Sequence, residues 1–124
     1  MNREIKFRAW DEKYNCWDKG GFYFYVNDPF QKQGFVIQQY TGLKDKNGKE
    51  IYEGDIIKHI TTSDEGIFSE TVGGLVIFES GSFMCYFKEA KIKVKLEAWL
   101  LETTMTMVGN MFENPNLLDN TTKI

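Results

Sequence analysis

Hydrophobic and polar positions alternate along much of this chain with a period of two, the spacing of strands rather than helices. Ile5-Lys6-Phe7-Arg8-Ala9-Trp10 places Ile5, Phe7 and Ala9 on one side and the two basic residues on the other, which predicts a half-buried strand. Phe22-Tyr23-Phe24-Tyr25-Val26 and Phe35-Val36-Ile37-Gln38-Gln39-Tyr40 predict two more, with turn formers between them. In the first of these both faces carry rings, so periodicity does not say which is buried. Asn47-Gly48 is the pair that a type I′ hairpin turn favours, because both residues tolerate positive φ. Ile56 to Ile60 comes next as a strand. The stretch Ile67 to Phe78 is strand-like but interrupted by Gly73-Gly74, which reads as a hairpin turn or a bulge.

Glu79-Ser80-Gly81-Ser82 then turns the chain into Phe83 to Phe87. Lys91-Ile92-Lys93-Val94-Lys95-Leu96 alternates strictly and sets three lysines on one face. Glu97 to Glu102 suits a short helix, and Thr103 to Val108 returns to strand character. Asn114-Pro115-Asn116-Leu117-Leu118 predicts a helical turn, with Asn114 as N-cap and Pro115 at the first helical position. Short strands at near-regular spacing with glycine-rich turns predict a small barrel or sandwich, mainly β and α+β at most.

Composition narrows the chemistry. The 124 residues carry 15 Lys+Arg against 18 Asp+Glu, a net charge of −3, with one His and two Cys. A zinc site takes about four ligands, and Cys16, Cys85 and His59 cannot supply the usual sets. Two cysteines far apart are expected to stay reduced, Cys16 at the surface and Cys85 in the core. No apolar run approaches the roughly 20 residues that span a bilayer. No apolar stretch comes after Met1-Asn2-Arg3-Glu4, so a cytoplasmic protein without a membrane partner is expected. Aromatic content is the departure from the ordinary: 10 Phe, 6 Tyr and 3 Trp, with eleven of these in the first 40 positions.

The arrangement of some residues resembles a known family. Arg3-Glu4-Ile5-Lys6-Phe7-Arg8-Ala9-Trp10-Asp11 forms an opening block. Tyr40-Thr41-Gly42-Leu43-Lys44-Asp45-Lys46-Asn47-Gly48-Lys49-Glu50-Ile51-Tyr52-Glu53-Gly54-Asp55-Ile56-Ile57 forms a long central one. Val108-Gly109-Asn110-Met111-Phe112-Glu113-Asn114-Pro115, running to Leu117-Leu118, closes the chain. In this order and spacing the blocks resemble the YopX family of small proteins encoded by bacteriophages and prophages. The resemblance implies an SH3-like β-barrel in the later two-thirds and a β-rich N-terminal part. It implies no established activity and no catalytic residues. The expected layout is an N-terminal aromatic β-rich segment over 1–39, an SH3-like barrel with one or two short helices over 40–118, and a frayed tail over 119–124. Phe68, Phe78, Phe83, Tyr86, Phe87 and Trp99 are expected to give the barrel its aromatic core.

Several residue groups are candidates for a site. Asp45, Asn47, Glu50, Glu53 and Asp55 are rich in oxygen, but with Asp45 as the first position of a calcium loop, Gly48 falls fourth and Ile56 twelfth, against the required sixth and twelfth Gly and Glu. Asp55, Ile57 and His59 point the same way on a regular strand, yet no nucleophile can be placed beside His59. No catalytic residue, metal or cofactor is therefore expected, and the chain is not expected to be an enzyme. The expected function is protein interaction or self-assembly, giving a homo-oligomer or a protein complex. Its surface is expected on Trp10, Tyr14, Trp17, Tyr23 and Tyr25, within or beside the stretch 14–40, because such rings pair an apolar body with a polar tip; the other reading left open by the sequence is that these rings fill one core. The alternative is a single-stranded nucleic-acid binder using Arg3, Lys6, Arg8, Lys91, Lys93 and Lys95. The acidic balance weighs against it. For Lys91, Lys93 and Lys95 the plainer reading is an edge strand guarded by charge, with Glu89 and Glu97 flanking it.

Overall fold

A computed structural model describes residues 4–18, 34–62, 64–66 and 68–118. The strands are β1 (Phe7–Asp11), β2 (Cys16–Trp17), β3 (Phe35–Lys44), β4 (Glu50–Tyr52), β5 (Asp55–Thr62), β6 (Phe68–Glu79), β7 (Ser82–Phe87), β8 (Ile92–Lys95) and β9 (Met105–Asn110). One short helix, α1 (Ala98–Thr104), and a 3-10 turn at Pro115–Leu118 complete the described elements. The strands form two antiparallel sheets. One has the order β2-β1-β3-β4, and the other, a curled half-barrel, the order β8-β7-β6-β5-β9. The fold is thus mainly β.

β3 joins the two ends of the first sheet. Its residues Phe35 to Gln39 pair with β1, and Tyr40 and Lys44 pair with Tyr52 and Glu50 of β4 across a register shift. Gly42 sits inside that shift at φ +85°, a conformation closed to most residues. The Thr41 hydroxyl repairs the ladder there, donating to the Ile51 carbonyl at 2.7 Å and accepting the Leu43 N–H. The strand crosses position 39/40 without a break, so the N-terminal part and the barrel part share it. The tail at 119–124 lies outside the described residues.

The turns obey side-chain demands more than dipeptide preference. At Asn47-Gly48 only Gly48 has positive φ (+81°), so the turn is not type I′. Asp45 explains this: its carboxylate accepts the N–H groups of Asn47 and Lys49, both at 2.9 Å, which folds Asp45–Gly48 as a turn with a left-handed glycine at its end. Gly48 N–H closes it on the Asp45 carbonyl at 3.0 Å. The turn with two positive φ values is Ser80-Gly81 (+53° and +81°), closed by the Glu79↔Ser82 pair. Gly73-Gly74 is no hairpin: β6 runs through it with a bulge between the pairs Ile57↔Gly74 and His59↔Thr71. Gly74 also has a packing reason, since a Cβ there would meet Cys85 Sγ and the Phe87 ring at 2.5 Å.

The core lies inside the curled sheet: Ile51, Ile57, Val76, Cys85, Phe87, Leu96, Leu101 and Met105, with Leu43, Phe83, Val94, Leu100 and Met107 packed on it. Burying a side chain of that size stabilises by about 1.5–3 kcal/mol. The core is chiefly aliphatic, against the expected aromatic set. Phe87 is in it and Phe83 borders it, but Tyr86 points to the opposite face by strand alternation. Phe78, near the end of β6, is exposed, its ring edge-to-face with Phe83 at 5.0 Å between centroids. The side chains of Phe68 and Trp99 lie outside the described ones.

Candidate functional site

The polar and aromatic residues of the chain converge where the first sheet meets the start of β5. Arg8 on β1 stands directly across from Gln38 on β3. Opposite residues of a ladder share a face, and Arg8 Nε and Nη2 both donate to Gln38 Oε1, at 3.1 and 2.9 Å. Nη2 also donates to the Glu53 carbonyl at 3.0 Å and to Asp55 Oδ1 at 2.9 Å. The other Asp55 oxygen accepts the Tyr52 N–H at 2.7 Å. The guanidinium lies between two rings, 4.2 Å from the centroid of Trp17 and 4.7 Å from that of Tyr52. Asp55 is only 1% exposed, so burial pushes its carboxyl upward, opposed by Arg8 and the Tyr52 N–H.

Gly54 makes the approach of these groups feasible. It has φ +83°, and a Cβ there would lie 2.1 Å from Gln38 Nε2. Its N–H donates to the Val76 carbonyl and its carbonyl accepts the Met111 N–H, both at 2.8 Å, which ties the joint to the curled sheet and the closing loop. In that loop Asn110 Oδ1 accepts the N–H groups of Phe112 and Glu113 at 3.0 and 2.9 Å. Asn114 does not cap the 3-10 turn after it with its side chain, which instead accepts the Asn110 N–H at 3.2 Å. Phe112 stacks flat on Trp10 at 5.0 Å, and Trp17 meets both edge-on. The Trp17 indole N–H donates to Glu113 Oε1 at 2.9 Å, as does Asn110 Nδ2 at 2.8 Å, and these bonds draw the Glu113 carboxyl below its usual range.

The interaction residues expected on β1 and β2 are therefore largely used within the molecule. Trp10 is buried, and Trp17 is half-buried between Arg8, Phe112 and Glu113. Tyr14, in the turn joining β1 and β2, is 68% exposed. Tyr23 and Tyr25 lie outside the described residues, as do Arg3 and most of 14–40. Among the basic candidates, Lys6 bonds Glu50 and pairs with Glu4, Arg8 pairs with Asp55, and Lys93 pairs with Glu79 at 2.7 Å. Lys91 and Lys95 are exposed.

The remaining acidic candidates have structural partners. Asp45 is buried and accepts the Met107 N–H of β9 at 2.8 Å as well as its own turn. Among the described residues no cluster of three or more Cys, His or carboxylate groups is placed to hold a metal ion. Asp55 is taken by Arg8 and Tyr52, while the His59 ring packs on Phe87 at 6.2 Å, so the two do not form a pair. Beside Phe87 a cavity of about 500 Å³ opens between Glu70–Val72 and the β7–β8 turn, its rim mixing Glu70 and Glu89 with Lys88. Cys16 is exposed and Cys85 buried, and burial raises the Cys85 thiol to about 12. Among the described residues no helix is long and apolar enough to cross a membrane.

The Arg8 network and Trp17–Glu113 bond were not legible in sequence, since their partners stand 30 to 96 positions apart. What the geometry defines is a small, mainly β protein whose two sheets are fastened by a self-satisfied polar and aromatic joint. Residues 22–119 match the model of the family described as YopX protein, and the chain belongs to that family. Its fold is also similar to the crystal structure of protein EF1440 from Enterococcus faecalis, at 23% identity and a TM-score of 0.69 over 94% of this chain and 99% of that one. No curated protein matches the chain.

Proposed function

We propose that this chain is a non-enzymatic protein-interaction module acting in the cytoplasm of a bacterial host. One observation carries the reading. The polar groups that could do chemistry at the joint face one another, whereas large apolar side chains face solvent: Tyr14 at 68%, Phe78 at 54% and Ile92 at 51% exposure. Apolar surface left at strand ends and a hairpin tip is what a partner, or a second copy, can cover. Single-stranded nucleic acid gains less support, because Lys6, Arg8 and Lys93 already contact carboxylates that a phosphate would have to displace.

Sedimentation velocity from low to high micromolar concentration tests the self-assembling form. Mass above the monomer that Tyr14→Ser, Phe78→Ser or Ile92→Ser disperses supports it. A monomer throughout that also captures no protein from its host removes the interaction reading. Point substitutions suit this test better than deletion of 1–39, because deletion would take away β1 and half of β3.

A further inference from the structure

Among the described strands the curled sheet ends on β8, which pairs with β7 alone. Leu96 N–H donates to the Phe83 carbonyl at 3.0 Å. Bonded and non-bonded pairs alternate along an antiparallel ladder, so the backbone groups of Val94 and Ile92 bond to Cys85 and Phe87. Those of Lys93 and Lys95 point away from the sheet. The side chains divide by face: Ile92 and Val94 stand beside Phe87 and Cys85 on the core side, Lys93 and Lys95 beside Tyr86 and Met84 on the other. Among the described residues the edge therefore presents N–H and carbonyl groups without a ladder partner, between an apolar rim and a cationic rim. At the sheet's opposite edge β9 is covered, since Asp45 accepts the Met107 N–H and Lys46 N–H donates to the Met105 carbonyl.

A strand added to β8 would extend both rims. Its apolar side chains would cover Ile92 and Val94, and its carboxylates would meet Lys93 and Lys95. A second copy of β8 is a poor occupant: the antiparallel register that sets Val94 against Val94 also sets Lys93 against Lys95, like charge on like charge. We propose that the β8 edge is a strand-addition site for an extended segment of another protein in which acidic and β-branched residues alternate. This rests on the interaction reading and names the partner's chemistry. Lys93 already leans on Glu79, but that pair is about half exposed and open to exchange with an incoming carboxylate.

The probe is a fluorescein-labelled peptide of alternating glutamate and valine, monitored by anisotropy with the full chain at low salt. Its control alternates lysine and valine. The glutamate peptide binds and the lysine peptide does not. Lys95→Pro removes one outward N–H and one charge while leaving the β7 ladder intact, and weakens binding about tenfold. Lys95→Gln removes only the charge and weakens it about threefold, and Glu79→Gln, by freeing Lys93, strengthens it. In the unaltered chain, hydrogen exchange slows at the Lys93 and Lys95 amides on peptide addition and stays as it was at Val94. Absence of binding, equal binding of both peptides, or protection at other amides only would each overturn the assignment. Tighter binding of oligothymidylate at the same amides would overturn it in favour of nucleic acid. If the peptide fails while the exposed apolar residues still drive self-association, the β8 assignment falls and the interaction reading stands.

Discussion

Replacing Arg8 by Met should be the most damaging single change at the joint. Met keeps much of the apolar stem between Trp17 and Tyr52 but removes the charge and every donor. Asp55, almost wholly buried, keeps only the Tyr52 N–H, and Gln38 Oε1 and the Glu53 carbonyl lose their Arg8 bonds. Breaking a buried ion pair from one side costs about 3–5 kcal/mol, because an uncompensated charge stays behind. Loss of the cation–ring contacts adds about 0.5–1 kcal/mol each, partly offset by sulfur against the rings. A domain of this kind has only about 5–15 kcal/mol in all.

The sign of the pH dependence is a sharper test than the size. Burial already holds the Asp55 carboxyl above its unfolded value, so its contribution favours the fold below that value and is lost as pH rises through the folded one. Without Arg8 the folded value rises further, and the loss on raising pH grows. The stability gap between Arg8→Met and the natural chain should therefore be narrowest in acid and widen toward neutrality. In Arg8→Met/Asp55→Asn no buried charge is stranded, so the double variant should be more stable than the two single losses predict, by about 0.5–3 kcal/mol. Urea denaturation monitored by circular dichroism at several pH values measures all of this. A cost below about 1 kcal/mol at neutral pH, a gap that does not change with pH, or strict additivity would refute the reasoning.

Three further consequences rest on single residues. Asp45→Asn puts an amide among three backbone N–H donors, those of Asn47, Lys49 and Met107, and should cost about 1–3 kcal/mol in urea denaturation. A disulfide-exchange reagent at mildly alkaline pH should titrate Cys16 alone in the native chain, because the Cys85 thiol is buried with a pKa of about 12; both should react in denaturant. The Glu113 carboxyl is held low by Asn110 and Trp17, so it stabilises above the ordinary glutamate range and that contribution is lost as pH falls through its folded value. Indole emission should report this step in the natural chain and lose it in Glu113→Gln.

What was legible in the sequence is what neighbours in the chain decide. Alternation marked β1 and β8, short apolar runs marked β5 and β7, and Ser80-Gly81 marked the turn between β6 and β7. The errors have local causes with distant origins. Asn47-Gly48 has the residues of a type I′ turn, but the Asp45 carboxylate imposes a different one because it must also reach β9. Lys6 and Arg8 read as the wet face of β1, since nothing nearby reveals that Glu50 and Asp55 wait across the joint. Strand pairing such as β5 with β9, Asp55↔Asn110, leaves no periodic trace. Whether Trp10 and Trp17 were core or surface rings was not legible for the same reason: Phe112 and Glu113, which engage them, come about a hundred residues later.

The three sequence blocks meet in space. Arg8 and Trp10 come from the opening block, Tyr52, Glu53 and Asp55 from the central one, and Asn110, Phe112 and Glu113 from the closing one. Their polar atoms are bonded to one another, so what these blocks encode is how two sheets are fastened. A fastening tolerates little change at its buried groups, since a substitution at Arg8 strands the carboxylate of Asp55 and the side chain of Gln38. β8 lies outside all three blocks, and its outward groups answer to no residue of the joint. Architecture and recognition can then vary separately: one joint can hold the same fold while the edge at Ile92 to Lys95 is rewritten for a different partner. Family resemblance carried by the blocks thus identifies the frame without specifying a function, and under the proposed assignment function is read at the β8 edge that the frame supports.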